Sequence, residues 1–150
     1  MTLLKRIIIG WLALAGLTSL AAFVVKRRIP AFGDEGDDSF SIVVAMDGKQ
    51  FRSEAASLAT AEVTAFMAGV ELDLTGATIE RSALLDLRVV MGGVDVIVPS
   101  SWRVEVAGRS VMGGVGNLTA PDSGWGDSPL LVVHADVFMG GVEIHAMESA

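Results

Sequence analysis

Three stretches of the chain alternate apolar and polar residues with a period of two. Val70, Leu72 and Leu74 alternate with Glu71 and Asp73, Val94, Val96 and Val98 with Asp95 and Ile97, and Val142 and Ile144 with Glu143 and His145. Such alternation puts one face of a strand in a core and the other in solvent. Each stretch follows a short motif: Met67-Ala68-Gly69-Val70, Met91-Gly92-Gly93-Val94 and Met139-Gly140-Gly141-Val142. A fourth copy, Met112-Gly113-Gly114-Val115, lies between the last two, so the copies begin 24, 21 and 27 residues apart. Strand-like runs also precede the motifs, as LLDLRVV, VEVAGRSV and LLVVHADVF.

A repeat length in the twenties marks a solenoid, in which no repeat can bury its apolar face alone and successive coils stack into a common core. Each repeat is therefore predicted as strand, glycine corner, strand and loop. The fold expected is all-β: a short single-stranded β-solenoid (β-helix-like) of about four to five coils, preceded by one N-terminal transmembrane helix. Gly69, Gly92, Gly93, Gly113, Gly114, Gly140 and Gly141 are the expected structural corners. Because Ala68 stands at the first of the paired positions, only the second is glycine in every copy. Gly93→Val is then expected to destabilise far more than Gly92→Ala. The motif methionines are expected to stack rung on rung inside, where Met fills irregular gaps, and a methionine ladder that binds metal or cofactor is the alternative.

Upstream, SFSIVVAM reads as a strand and Asp47-Gly48-Lys49 as a turn, while Ser53–Thr60 is Ala-rich and suits a helical turn or a small-residue strand. After the third motif the alternation is lost in VGNLTAPDSGWGDSP. The loop at 119–129 is either a recognition element or an insertion. Asn117-Leu118-Thr119 is a formal glycosylation sequon, with meaning only in a glycosylating compartment.

Residues 7–25, IIIGWLALAGLTSLAAFVV, carry no charge. These nineteen residues would span roughly 28 Å as a helix, close to the ~30 Å of a bilayer core. Lys5-Arg6 and Lys26-Arg27-Arg28 bracket them, and the run into KRRIP is a poor signal-peptide cleavage context. The chain thus divides into an N-terminal membrane anchor (1–28), an acidic linker (29–38) and a β-solenoid domain (39–150). The DEGDD run in the linker lacks the alternating ligands and closing Glu of a calcium loop.

Charge sharpens this division. Six basic residues against all eighteen acids leave residues 29–150 at net −12, and the five other basic residues flank the apolar segment. An acidic body makes nucleic-acid binding unfavourable. The basic flanks suit anionic headgroups, and their distribution, with three after the span and two before, leans toward a cytoplasmic body.

Little in the sequence points to catalysis. There is no cysteine, no nucleophile elbow and no phosphate loop, and the Gly-Gly pairs are followed by strands, with no helix N-terminus to hold an anion. His134 and His145 match no local metal-ligand spacing, and His145 is expected on an outer strand face. Glu71 and Asp95 could approach across adjacent coils. No enzyme activity, cofactor, metal or catalytic residue is expected.

The pattern MAGVELDLTGA, LDLRVVMGGVDVIVPSSWRVEV, SVMGGVGNL and LLVVHADVFMGGVEI resembles the LiaF-like C-terminal domain of bacterial cell wall-active antibiotics response membrane proteins. The resemblance covers residues 40–147 and rests on the glycine-corner repeats, the GGVDVIVP strand and the following Trp102-Arg103-Val104. It implies a regulator or sensor-accessory protein of the cell-envelope stress response in the bacterial inner membrane, often an inhibitory partner of a sensor histidine kinase. It offers no catalytic residues. Contact with such a partner would use Trp102, Trp125 and the 119–129 loop, since aromatic residues enrich interfaces; a core or capping place is the equal alternative for Trp102. The alternative is a membrane-associated scaffold built by end-to-end stacking of solenoids through unpaired edges. Net charge opposes that, and the polar tail at 145–150 could cap the last coil.

Overall fold

Alternate residues of the predicted strands fall into columns that run straight through the molecule. Phe40, Ala61, Leu85 and Val133 share one rung position, Ile42, Val63, Leu87 and Ala135 the next, and all eight are buried. Burying a Val, Leu or Ile side chain is worth about 1.5–3 kcal/mol, so columns of this kind fix the register between strands. The computed structural model describes residues 31–119 and 127–147. Among these it contains eight strands and no helix: β1 (Ser39–Ala45), β2 (Gly48–Arg52), β3 (Thr60–Phe66), β4 (Gly69–Asp73), β5 (Ser82–Pro99), β6 (Arg103–Val111), β7 (Gly114–Asn117) and β8 (Leu130–Met147). The expected transmembrane helix at 7–25 lies outside the described residues.

The strands form an all-β, nearly closed parallel sheet with two faces, wound in the manner of a β-solenoid. β1, β3, β5, β8 and β6 pair in that order on one face, and β2, β4, β5, β8 and β7 on the other. β5 and β8 run through the corner and contribute to both faces. Ser53–Thr60, expected as a helical turn or strand, is instead a third side, with Ser53, Ala55 and Leu58 turned into the core.

The order of the coils is not the order of the chain. β8, the last strand, lies between β5 and β6 and pairs with both, so the coil made by β6 and β7 is outermost. Side-chain volume explains the exchange. Inward positions of β8 carry Leu131, Val133, Ala135, Val137, Val142 and Ile144, all buried, whereas β6 offers Val104, Val106, Gly108 and Ser110, none of them fully buried. The richer apolar set takes the slot covered on both sides, where it removes most surface from water. Residues 118–129 carry the chain back across one coil. β8 ends at Met147 in an internal coil, and the rest of the polar tail, expected as a cap, lies outside the described residues.

The opposite end is closed differently. Phe32 and Ser41 exchange backbone hydrogen bonds of 3.0 and 2.7 Å in an antiparallel bridge. The acidic stretch is fastened further where Glu54 N–H donates to the Glu35 carbonyl, Ala59 N–H to the Asp38 carbonyl and Ser57 N–H to the Asp38 carboxylate. Behind it Phe40 and Phe51 pack with ring centroids 4.7 Å apart.

Each corner turns on its methionine. Met46, Met67, Met91, Met112 and Met139 all have left-handed backbone, with φ between 50° and 57°. They are 36–75% exposed, so the expected internal methionine stack is wrong. A Cβ in the left-handed region points the side chain out at the bend, and the strand on either side fills the core. There are also five corners, because Met46-Asp47-Gly48 is one of the set.

The glycine pair divides its roles in the reverse of the expected sense. A Cβ on Gly92 would lie 2.1 Å from the carbonyl oxygen of Ala68, and Gly140 and Gly113 face the same obstacle from Gly92 and Gly140. A Cβ on Gly93 would meet nothing nearer than 3.8 Å, because Gly93 points outward from its strand. Ala68 misled the sequence argument: it faces the terminal coil, beyond which no further coil holds the neighbour in place. Gly92→Ala is expected to cost roughly 2–4 kcal/mol, as overpacking against backbone does, and Gly93→Ala less than about 0.5 kcal/mol. Thermal or urea unfolding of the two variants checks the order.

Candidate functional site

Three sets of outward side chains could carry function. The first lies on the face made by β4, β5 and β8. Glu71, Asp95 and Glu143 stand in register on adjacent strands, as the approach of Glu71 and Asp95 required. His145, two residues beyond Glu143, leans back between them: its Nε2 lies 3.0 Å from Asp95 Oδ1 and 3.4 Å from Glu143 Oε2. Gln50 donates to Glu71 at 3.3 Å at the end of the row. Gly69, Gly93 and Gly141 form the bare floor of a shallow depression beside it, with Asp95 and Glu143 at its rim. One nitrogen and two carboxylates with ligand atoms within 4.8 Å make a mixed donor set that a borderline divalent cation accepts. As drawn, the imidazole itself bridges the two carboxylates, and all three groups are at least partly in solvent. The spacing argument missed this cluster because its donors come from two strands 48 residues apart in sequence, joined only by register.

The second set lies on the other face. Arg88 reaches Glu62 at 3.2 Å and Asp86 at 3.6 Å, and Arg109 reaches Asp136 at 3.5 Å. His134 sits exposed in the same row as Asp86. Exposed pairs of this kind contribute little to stability; they mark a hydrated surface.

The third set is the methionine corner with the residue before it in each coil, Ala45, Phe66, Val90, Phe138 and Val111, which also stand in register. Phe138, Val111 and all five methionines are exposed. Seven of the eleven exposed large hydrophobic residues among the described ones lie on this corner.

Of the aromatic contacts expected from the sequence, only Trp102 lies among the described residues. Trp102 is 6% exposed, packed at the third corner near Ile79 and Pro129, and is a core residue without a free face. Its N–H closes a turn onto the Pro99 carbonyl at 3.1 Å, so the bend that crosses to the outer coil buries it. Trp125 and most of the 119–129 loop lie outside the described residues.

Comparison with protein-family models, with characterised proteins and with solved structures finds no match for this chain.

One acid is tuned by its surroundings. Burial pushes the Asp73 carboxyl up, but the Thr75 hydroxyl at 2.6 Å, the Thr75 N–H at 2.9 Å and Arg52 at 3.9 Å together hold it below its ordinary value. A carboxyl lower in the folded than in the unfolded chain stabilises above the unfolded value, and the effect is lost as pH falls through the folded one. Asp73→Ala is therefore expected to cost about 1 kcal/mol at pH 7, and the gap to the parent should close as pH drops below 3.8. Urea unfolding at pH 7 and pH 3 measures both ends of this window.

Proposed function

We propose that the chain is a membrane-anchored, non-enzymatic regulator or sensor-accessory protein of the bacterial cell-envelope stress response, acting through protein contacts of its β-solenoid domain. The apolar segment at 7–25 tethers it in the inner membrane as a single pass, with the domain on the cytoplasmic side. Among the described residues no helix is long and apolar enough to cross a membrane, so the tether is the only spanning element this reading uses. A membrane protein such as a sensor histidine kinase is the partner. Anchoring both in one membrane raises their local concentration, and a weak contact then suffices.

The observation that carries the reading is the open outer coil. Among the described residues β6 pairs only with β8, so there the nine-residue strand Arg103–Val111 presents a backbone edge without a strand partner. Such an edge accepts an extended segment of another chain by strand addition. End-to-end stacking into a scaffold is the second reading, and the same edge favours it. The first coil, however, is covered by residues 31–38. With one end open and one covered, stacking stops at a pair.

A photo-crosslinker at Arg109, on the open edge, is expected to recover a membrane protein from native membranes, and one at Glu54 is not. Adducts that contain only the chain itself would favour the stacking reading instead.

A further inference from the structure

Among the described residues the methionine corner is a continuous band of surface almost free of charge. Each coil contributes four consecutive residues to it, 45–48, 66–69, 90–93, 138–141 and 111–114, in spatial order. Of these twenty residues only Asp47 is charged, and its carboxylate is turned onto the Gly48 N–H at 2.8 Å. On both sides the outward positions are crowded with ionic groups: Glu62, Asp86, Arg88 and Asp136 on one face, Glu71, Asp95, Glu143 and His145 on the other. A chain with 29 charged residues has left one continuous strip bare. At about 4.8 Å per rung the strip is roughly 19 Å long.

The methionines themselves are not required by the turn. Glycine or asparagine adopts left-handed backbone more readily than a straight-chain residue does. The side chains are 36–75% exposed and none is a core residue. The outward glycines next in line, Gly69, Gly93, Gly114 and Gly141, have open space where a Cβ would be. The strip is therefore a ridge of thioethers and Phe or Val side chains above a flat shoulder. Exposed apolar ridges of this size mark contact surfaces.

Chain geometry selects the partner. At Phe32 the backbone runs antiparallel to β1, so its N-terminal side faces the Met46 end of that strand. Only six residues, 26–31, separate the apolar segment from the bridge at Phe32, and six extended residues reach about 20 Å. A tether this short, leaving toward the methionine corner, holds that corner at the bilayer. We infer that the Met46–Met67–Met91–Met139–Met112 ridge lies on the lipid surface, with its thioethers and the Phe66, Val90 and Phe138 side chains at the headgroup–acyl boundary. The domain then lies along the membrane, with the Glu71–Asp95–Glu143 row on a flank and the open β6 edge at one end facing other proteins in the plane of the bilayer. With net −12 on the body, the attraction is apolar and a zwitterionic bilayer is its best substrate. This inference rests on the anchor reading above.

The chain has no cysteine, so single labels are clean. The full chain is reconstituted into phosphatidylcholine vesicles that contain acyl-brominated lipid, with a fluorophore on Phe138→Cys, next to the ridge, or on Ser101→Cys, at the third corner. Bromine quenching several-fold stronger at position 138 than at 101 is the expected result. Combined Met67→Asn, Met91→Asn and Met139→Asn should bring the two positions level while the melting temperature is kept, because asparagine tolerates the left-handed turn. Equal quenching in a chain that resists alkaline carbonate extraction would overturn the ridge contact and leave the anchor standing. A chain released by carbonate overturns both. A quenching-independent crosslink between two copies through position 138 would show that a second copy, and not lipid, covers the ridge.

Discussion

Every coil of this protein must turn through a left-handed residue at the same height as its neighbours, and the turn is possible only if the next backbone can come within carbonyl contact. The Gly92 position shows how tight that condition is, since its missing Cβ is the space the Ala68 oxygen occupies. Corner register then sets strand register on both faces, because Gly48, Gly69, Gly93, Gly141 and Gly114 fall opposite one another, and Val70, Val94, Val142 and Val115 after the last four turn inward together. A slip of one residue at any corner would turn that coil's apolar side chains out to solvent. The two faces therefore stand or fall with the bends.

The same logic explains the interleaved coil. A solenoid assembles by nearest-neighbour burial, and nothing in that energy requires neighbours in space to be neighbours in sequence. What matters is which coil can fill a slot closed on both sides. The fourth coil along the chain, with Gly108 and Ser110 inward, is a poor filler and a good lid, and the fifth, with Leu131 and Ile144, is the reverse. Placing the weaker coil outermost leaves an open strand edge, and the docking proposal uses that edge.

The outer surface was partly legible from the residues. Alternation placed Glu71, Asp95, Glu143 and His145 outside correctly, since the period of two settles the face. It could not show that His145 spans the gap between Asp95 and Glu143, because that meeting depends on the pairing of β5 with β8. Trp102 stayed open for a similar reason: an aromatic residue after a strand is equally good at an interface or under a corner, and the crossover after Pro99 decided for the corner. The methionines were read by residue type, as apolar and hence internal. Backbone handedness overrode type, and handedness is invisible in a sequence unless glycine or asparagine announces it.

The sequence by itself determined the repeat, most of the strands, the identity of the inward columns and the acidity of the body, because all of these follow from local periodicity and composition. Tertiary structure alone decided the order of the coils, which glycine of each pair is indispensable, and the exposure of the methionine ridge. Each of those depends on what lies across the gap in the neighbouring coil, at distances of 2 to 4 Å that no single repeat contains.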